Sequence, residues 1–485
     1  MASANGRHRA KSGAGRQNRF DSGVPEFYNF ALVLYSHSTD ENDRNPMRSN
    51  DDRSSWRDYQ ASLQKADRLK HRMRAAGFFA GVSVVVLLCL GGLFLIQEWL
   101  TSDSGSSSDS TASGAADNYL PPAIPRQLLP ELLDGLALKA DPSFPLQHNG
   151  RRLTVTTTVD AGLQKYINRL LGWSKTLQAA VVVLEVHSGK ILAMASYDAN
   201  GGSENLCLKA DFPAASLFKI VSAAAALEAA GYTPETPMHF NGRRHTLYKQ
   251  QLSESRNRWS TETKFRRAFA ASNNVVFGKI GAHDLGQRVI TEYADKFFFN
   301  RPIPFDLVLG LSTATVPADD FGLAEIASGF NKKTLLSPLH AAMLASVAAN
   351  QGRMTSPWLV DRIADEDGTV LYRSKQIFLE PSVRSQTARD LKLLMEDTAR
   401  YGTSRRAFQK LRRQQLFRNF DLGAKTGTIN DPQDRFKYDW LTAFSLPAGS
   451  SEGICLGILA VHGKYLGTRA TEMGRAIIHY HFNSS

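Results

Sequence analysis

Ser216 and Lys219 stand three residues apart in the stretch FPAASLFKIVSAAAALEAAG, from Phe212 to Gly231. On a helix that spacing puts a hydroxyl and an amine on one face. A serine hydroxyl is a poor nucleophile until a base takes its proton. Lysine serves as that base only when neutral, and at its ordinary pKa of ~10.4 about 0.04% is neutral at pH 7. Lowering the pKa by ~3 units takes about 4 kcal/mol, of which a helix N-terminus supplies at most ~2 kcal/mol. Burial and a second nearby cation must supply the rest. The pair therefore predicts another lysine in the same pocket, from elsewhere in the chain.

Lys425, in GAKTGT, is the candidate. On a strand, Lys425 and Gly427 face one way and Thr426 and Thr428 the other. A glycine in a strand marks close approach of a ligand or another backbone, so the segment reads as a pocket wall offering an ammonium, hydroxyls and backbone N–H groups. The third piece is SNN, Ser272 to Asn274, where a helix gives way to a turn. It supplies a hydroxyl relay and an amide able to fix a peptide carbonyl.

Each motif alone is common; their order and spacing are not. S-x-x-K at Ser216–Lys219, S-x-N at Ser272–Asn274 and K-T-G at Lys425–Gly427 together form the signature of penicillin-binding proteins and serine β-lactamases. From about Leu153 onward the chain resembles the transpeptidase domain of penicillin-binding proteins. TTTVDAGLQKYINRLL, AAVVVLEVHSGKILAMAS, LLSPLHAAMLASVAANQGRMTSPWLV and YGTSRR are similar to segments of that family. The resemblance implies that Ser216 attacks the carbonyl between two terminal D-alanines and that Lys219 is its base. It implies a proton relay through Ser272 and Lys425, and a donor peptide held by Asn274. The oxyanion hole would be the N–H groups of Ser216 and Thr428, and the terminal carboxylate would meet Thr426 and Thr428 beside Gly427. No cofactor or metal is implied, and no H-E-x-x-H spacing occurs among the 12 histidines. β-Lactams would acylate the same serine.

A class A β-lactamase needs a glutamate-held water to release its acyl-enzyme. The region where that loop should lie, YADKFFFNRPIPFDLVLGLS, lacks the pattern. The expected activity is thus D,D-transpeptidation of peptidoglycan stem peptides, with D,D-carboxypeptidation as its near variant. A β-lactam sensor and a non-catalytic scaffold are the rivals; a scaffold has no chemical reason to keep Ser216, Lys219 and Lys425 together.

The elements that must position these residues read as α+β: an antiparallel sheet flanked by helices plus an all-helical subdomain, preceded by one transmembrane helix. RLTVTTTV is a strand, and AAVVVLEV-HSGK-ILAMASY a hairpin. Phe212–Gly231 is one helix and TETKFRRAFAASNN another. SPLHAAMLASVAANQG is a third, with Ser337 as N-cap, Pro338 at the first position and Gly352 past the end. GAKTGT, YDWLTAFSL and GICLGILAVHG are strands, and EMGRAIIHYHF is a last helix, whose apolar face reads as core and whose HYH is not read as a ligand pair. The paired acids of PADDFG are explained by capping or solvation.

Residues 75–97 carry no charge over 23 residues, enough at ~1.5 Å per residue to span a ~30 Å hydrocarbon core. Lys65, Arg68, Lys70, Arg72 and Arg74 precede the run, and Glu98, Asp103, Asp109 and Asp117 follow. That asymmetry puts the N-terminus in the cytoplasm and the rest outside the bacterial inner membrane. The division is then 1–74 a mostly disordered cytoplasmic tail, 75–97 the membrane helix, 98–150 a Ser-rich linker and short juxtamembrane segment, and 151–485 the transpeptidase-like domain. The stretch before Arg151 is too short for a glycosyltransferase domain, so a monofunctional enzyme is expected, its active site near the membrane or lifted by partners in a cell-wall synthesis complex. Net charge is +12, without a zinc-finger or RNP1-like motif, so nucleic acid is not an expected partner. The run RRAFQKLRRQQLFRNF, Arg405 to Phe420, would steer anionic glycans or headgroups, or be a solvated helix face. Of three cysteines, Cys89 lies in the apolar run; Cys207 and Cys455 read as two separate thiols, or as one bridge if extracytoplasmic.

Overall fold

The computed structural model describes residues 123–135, 141–449 and 452–484. The 1–74 tail, the 75–97 apolar run and the linker through residue 122 lie outside the described residues. Among those described, no helix is long and apolar enough to cross a membrane.

The centre is a five-stranded antiparallel sheet of β1 (Gln178–Glu185), β2 (Ile191–Asp198), β3 (Phe420–Asn430), β4 (Lys437–Pro447) and β5 (Ile454–His462). Its order is β3-β4-β5-β1-β2, so segments more than two hundred residues apart are hydrogen-bonded neighbours. β1 and β5 read as continuous apolar runs because both faces of the sheet are covered. Val181 and Val183 point into one core layer, with Leu163, Ile167 and Ile477 from the helices Ala161–Gly172 and Ala470–Asn483. Val182 and Leu184 point into the other, with Leu339 and Ala342 of helix α4 (Pro338–Ala349). Helix α4 starts as expected: Ser337 accepts from the His340 N–H, Pro338 follows, and Gly352 has φ +94°. It lies so close to β5 that a Cβ at Gly457 would fall 2.0 Å from the Pro338 carbonyl oxygen.

Beyond α4 lies the helical cluster: α1 (Lys219–Glu228), α2 (Phe265–Ala270), α3 (Asn274–Lys279) and α5 (Ser385–Arg400), with Gly286–Lys296 and Asp320–Ala327. Asp319 caps the last of these by accepting from the Gly322 N–H, so the paired acids of PADDFG begin a helix. A smaller sheet pairs Ser143–His148, Arg151–Thr157, Val360–Ala364 and Val370–Arg373 in that order. Its first strand, and Leu129 and Leu133 buried in the core, precede the Arg151 boundary read from sequence, so the folded unit starts earlier.

Two helix readings are corrected. Phe212–Gly231 is not one helix. Phe212–Pro213 pairs as a short strand with Leu335–Leu336, Ala215–Phe218 is a 3₁₀ turn, and α1 begins only at Lys219. Pro213 cannot donate to a helix, and Ala215 at φ +50° is left-handed, so the chain must turn before it can coil. Likewise Ser260–Lys264 is a strand paired with Pro237–Asn241, and only Phe265–Ala270 is helical. A partner remote in sequence overrides the local helix signal there.

Cys207 and Cys455 are separate buried thiols. The Cys207 S–H donates to the Ala195 carbonyl at 3.3 Å. The basic run forms α6 (Arg405–Arg412), with Ala407, Phe408 and Leu411 buried.

Candidate active site

The 3₁₀ turn Ala215–Phe218 lifts Ser216 out of the core and delivers it beside the edge strand β3. Gly427 makes this approach tolerable: a Cβ there would lie 3.2 Å from Ala215 Cβ and 3.4 Å from the Ala214 carbonyl oxygen. From the other side Gly329 closes on the same turn. Its φ is +60°, and a Cβ would fall 2.0 Å from the Ala215 carbonyl oxygen and 3.0 Å from Ser216 Cα. The left-handed Ala215, one residue before the half-buried Ser216, is thus clamped by backbone on both flanks. Such strain at a non-glycine residue persists only where the surroundings over-determine it.

Lys219 opens α1 one turn later and is fully buried. Its Nζ lies 3.0 Å from Ser216 Oγ and donates to Asn274 Oδ1 at 2.8 Å and to the Ser328 carbonyl. Burial, and then the charge of Lys425, hold the Lys219 amine well below the usual lysine range. Lys425 is the second cation that the chemistry required. It too is fully buried, and burial pushes it down to about 7. Its Nζ donates to Ser272 Oγ at 2.9 Å and to the Thr426 carbonyl at 2.7 Å. Among the described residues neither ammonium has an ion-pair partner.

α2 ends at Ala270 and the chain reverses through Ser272 at φ +53°, a second left-handed non-glycine residue. Asn273 then caps α3 by accepting from the Val276 N–H. Asn274, the first residue of α3, turns its amide inward. Its Oδ1 receives the Lys219 bond while its Nδ2 donates to the His245 carbonyl at 2.9 Å. The amide therefore has one face on the lysine and one on the Arg244–His245 loop.

These residues line one cavity of about 560 Å³: Ser216, Ser272, Asn274, Thr426 and Thr428 among its walls, with His245, Gly329, Phe330, Lys332 and Thr403. Thr426 and Thr428 face into it while Lys425 and Gly427 are buried, the alternation a strand imposes. The hydroxyls of Thr403 and Thr426 are 2.5 Å apart, and Thr428 Oγ1 donates to Asp439 at 3.5 Å. β3 has no neighbour on its outer edge among the described residues. An extended peptide can add to such an edge through main-chain hydrogen bonds.

All eight residues singled out from sequence thus fall around one cleft. Sequence reasoning passed over Ser328, Gly329 and His245. The His245 imidazole hydrogen-bonds the Ser272 backbone and is held below its usual range by burial, then by Arg244, Lys219 and Lys425. SGFNKK and RRHT carry no periodicity or motif; their value lies in what the fold brings against them.

The Penicillin binding protein transpeptidase domain family matches residues 179–477. Peptidoglycan D,D-transpeptidase PbpA of Mycolicibacterium smegmatis is 25% identical over 332 residues, 62% of this chain and 64% of that protein. Penicillin-binding protein 1A of Neisseria gonorrhoeae is 27% identical over 283 residues, 56% of this chain and 31% of its own length. The chain thus spans less than two thirds of either relative. Among solved structures, the D,D-transpeptidase domain of an Eggerthella lenta peptidoglycan glycosyltransferase superposes with a TM-score of 0.56 at 21% identity, over 68% of this chain and 83% of that one. The imipenem acyl-enzyme of Mycobacterium tuberculosis penicillin-binding protein A gives 0.56 at 24%, over 68% and 79%; at these identities the likeness is one of fold. With a family match over more than half of its length and the matching α+β architecture, the chain belongs to the penicillin-binding protein transpeptidase domain family.

Proposed function

We propose that this protein is a serine-type D,D-transpeptidase that cross-links peptidoglycan stem peptides through an acyl-enzyme on Ser216, and that β-lactams acylate the same hydroxyl. The observation that carries the reading is the pair of buried, carboxylate-free lysines, one 3.0 Å from Ser216 Oγ and the other 2.9 Å from Ser272 Oγ. Neutral Lys219 takes the Ser216 proton as Oγ attacks the penultimate D-alanyl carbonyl. The N–H groups of Ser216 and Thr428 receive the oxyanion, an interaction typically worth about 3–4 kcal/mol of barrier. Ser272, supplied by Lys425, hands a proton to the departing D-alanine. Asn274 holds the donor peptide, and Thr426 and Thr428 bind its terminal carboxylate beside Gly427. An amine from a neighbouring stem then displaces Ser216.

The site sits on a domain that we place outside the bacterial inner membrane, anchored by the 75–97 run with the 1–74 tail in the cytoplasm and the segment between that run and the folded unit as tether. Relatives named peptidoglycan D,D-transpeptidase, and solved acyl-enzymes of a related protein with imipenem and penicillin G, support the reading. The test is labelling with a fluorescent penicillin, followed by D-alanine release from a pentapeptide with and without an acceptor amine. Wild type should label and Ser216→Ala should not, and the amine should appear in the product. Equal labelling of both proteins, or release without transfer, overturns it.

A further inference from the structure

The basic run Arg405 to Phe420 is left unused by the catalytic cleft. It folds as α6 and the 3₁₀ turn Gln415–Asn419. With ~3.6 residues per turn, Ala407, Phe408 and Leu411 fall on one side and are buried, while Arg405, Arg406, Gln409, Lys410 and Arg413 fall on the other and are exposed. The helix is fixed to its neighbours through the buried side, and Arg412, at the margin, donates to the Ala399 carbonyl at 2.9 Å.

The exposed side is short of anions. Lys410 is held by Glu472 at 3.1 Å, and the same carboxylate takes Arg475 at 2.9 Å. Two further acids near the helix, Glu396 and Asp421, are matched by Lys392, Arg400 and Arg412. Among the described residues, Arg405, Arg406 and Arg413 have no carboxylate partner. Guanidinium forks of this kind fit the oxygens of phosphate.

The length of chain outside the described residues says which phosphate is within reach. On the reading of 75–97 as a membrane helix, the 25 residues 98–122 separate the bilayer from the first described residue, Ala123. A Gly/Ser-rich coil of that length spans about 25–30 Å r.m.s., close to the ~20 Å radius of gyration of a domain this long. A domain so held meets the lipid surface repeatedly, and charge decides which face it presents. On an anionic surface, uncompensated arginines are drawn in once they come within a Debye length, about 8 Å at physiological salt.

We propose that the outer face of α6 docks on anionic phospholipid headgroups through Arg405, Arg406 and Arg413. This rests on the membrane anchoring proposed above and adds to it a face and a lipid chemistry. It also orients the enzyme. α6 begins two residues after Thr403, whose hydroxyl meets Thr426 in the cleft. Docking through α6 holds that wall of the cleft near the headgroups and favours stem peptides that lie close to the bilayer.

The experiment places the full chain in nanodiscs of phosphatidylcholine, with or without phosphatidylglycerol, each doped with a headgroup-nitroxide lipid. A bimane on Gln409→Cys, in a Cys89→Ala background where Cys207 and Cys455 are buried, reports proximity by its quenching. Quenching should be at least about threefold greater with phosphatidylglycerol, and the excess should vanish in about 0.5 M salt. Arg405→Glu/Arg406→Glu/Arg413→Glu should abolish it and the triple Gln variant should lose most of it, both still labelled by penicillin. A bimane on Arg288→Cys, exposed on the helix Gly286–Lys296, should quench equally in the two lipids. No excess at position 409, an equal excess at 288, or an excess that survives charge reversal overturns the docking face alone. Loss of the excess to poly(glycerol phosphate) at equal phosphate concentration gives the face to a soluble phosphodiester polymer and overturns the lipid assignment. A chain that does not enter neutral nanodiscs overturns the anchoring and the docking together.

Discussion

Helix α2 touches two clusters of buried charge built on opposite terms. In its first turn, Arg266 makes a bidentate pair with buried Asp397 of α5, at 2.6 and 2.9 Å, and adds Glu235 at 2.9 Å. Three residues on, Phe269 lies 5.6 Å from the Lys425 ammonium, which with Lys219 forms a cluster holding two cations and no anion. The first is a compensated bridge that fastens one helix to another. The second is costly, since burial disfavours both charges and each disfavours the other. A fold keeps an uncompensated pair where a perturbed pKa is useful. Compensation, rather than burial, separates the structural cluster from the chemical one.

The widest separation should come from removing one member of each. Lys219→Met is expected to lower the rate of acylation by a fluorescent penicillin by roughly 10³-fold, within the range a positioned general base contributes. Its melting temperature should move little, because relief from burying an amine opposes the bonds lost to Asn274 and Ser328. Asp397→Asn should do the reverse: about 3 kcal/mol of stability lost for a broken buried pair and a melting point several degrees lower, with acylation reduced less than tenfold. If Asp397→Asn proves the more damaging to acylation, the division between the clusters is wrong.

The lysine cluster also depends on backbone that carries no charge. Gly329→Ala would put a methyl 2.0 Å from the Ala215 carbonyl oxygen, at φ +60°. Stopped-flow acylation should slow by about 10²-fold, a cost typical of misplacing reacting groups by an ångström. Gly427→Ala meets its neighbours only at 3.2–3.4 Å and should cost a few-fold. Equal effects from the two would mean that the Ser216 turn is not clamped from the Gly329 side.

These contrasts mark where sequence was informative. Ser216, Lys219, Ser272, Asn274 and Lys425 were legible because each is a reactive type at a spacing that makes chemical sense. The need for a second lysine followed from the cost of neutralising the first. The strands of the main sheet were legible because burial on both faces leaves long apolar runs. The break at Pro213–Ala215 was not, since alanine usually favours helix and here adopts φ +50° under pressure from Gly329 and Gly427, remote in sequence. Nor was Asp397, which reads as an ordinary acid on the amphipathic α5 until Arg266 packs against it. Long-range close approach has no local signature.

The smallest effect is the one most specific to the uncompensated cluster. The folded protein releases the Lys425 proton near 7, whereas an unfolded chain holds it until ~10.4. Between those values the unfolded state binds more protons, so unfolding free energy rises with pH, by up to about 1.4 kcal/mol per unit for this group. The cost of burying Lys425 is complete below about pH 7 and gone above about 10.4. Urea denaturation of wild type and Lys425→Met from pH 7 to 9 should give a difference in stability that shrinks or inverts as pH rises, while Asp397→Asn, which leaves the lysine cluster in place, should run parallel to wild type. The same titration should appear in catalysis: Lys425 passes on a proton only while it has one, so D-alanine release should decline on the alkaline side of about pH 7. A stability difference that is flat with pH would mean that Lys425 keeps its charge when buried, and the contrast between the two clusters would then be one of geometry alone.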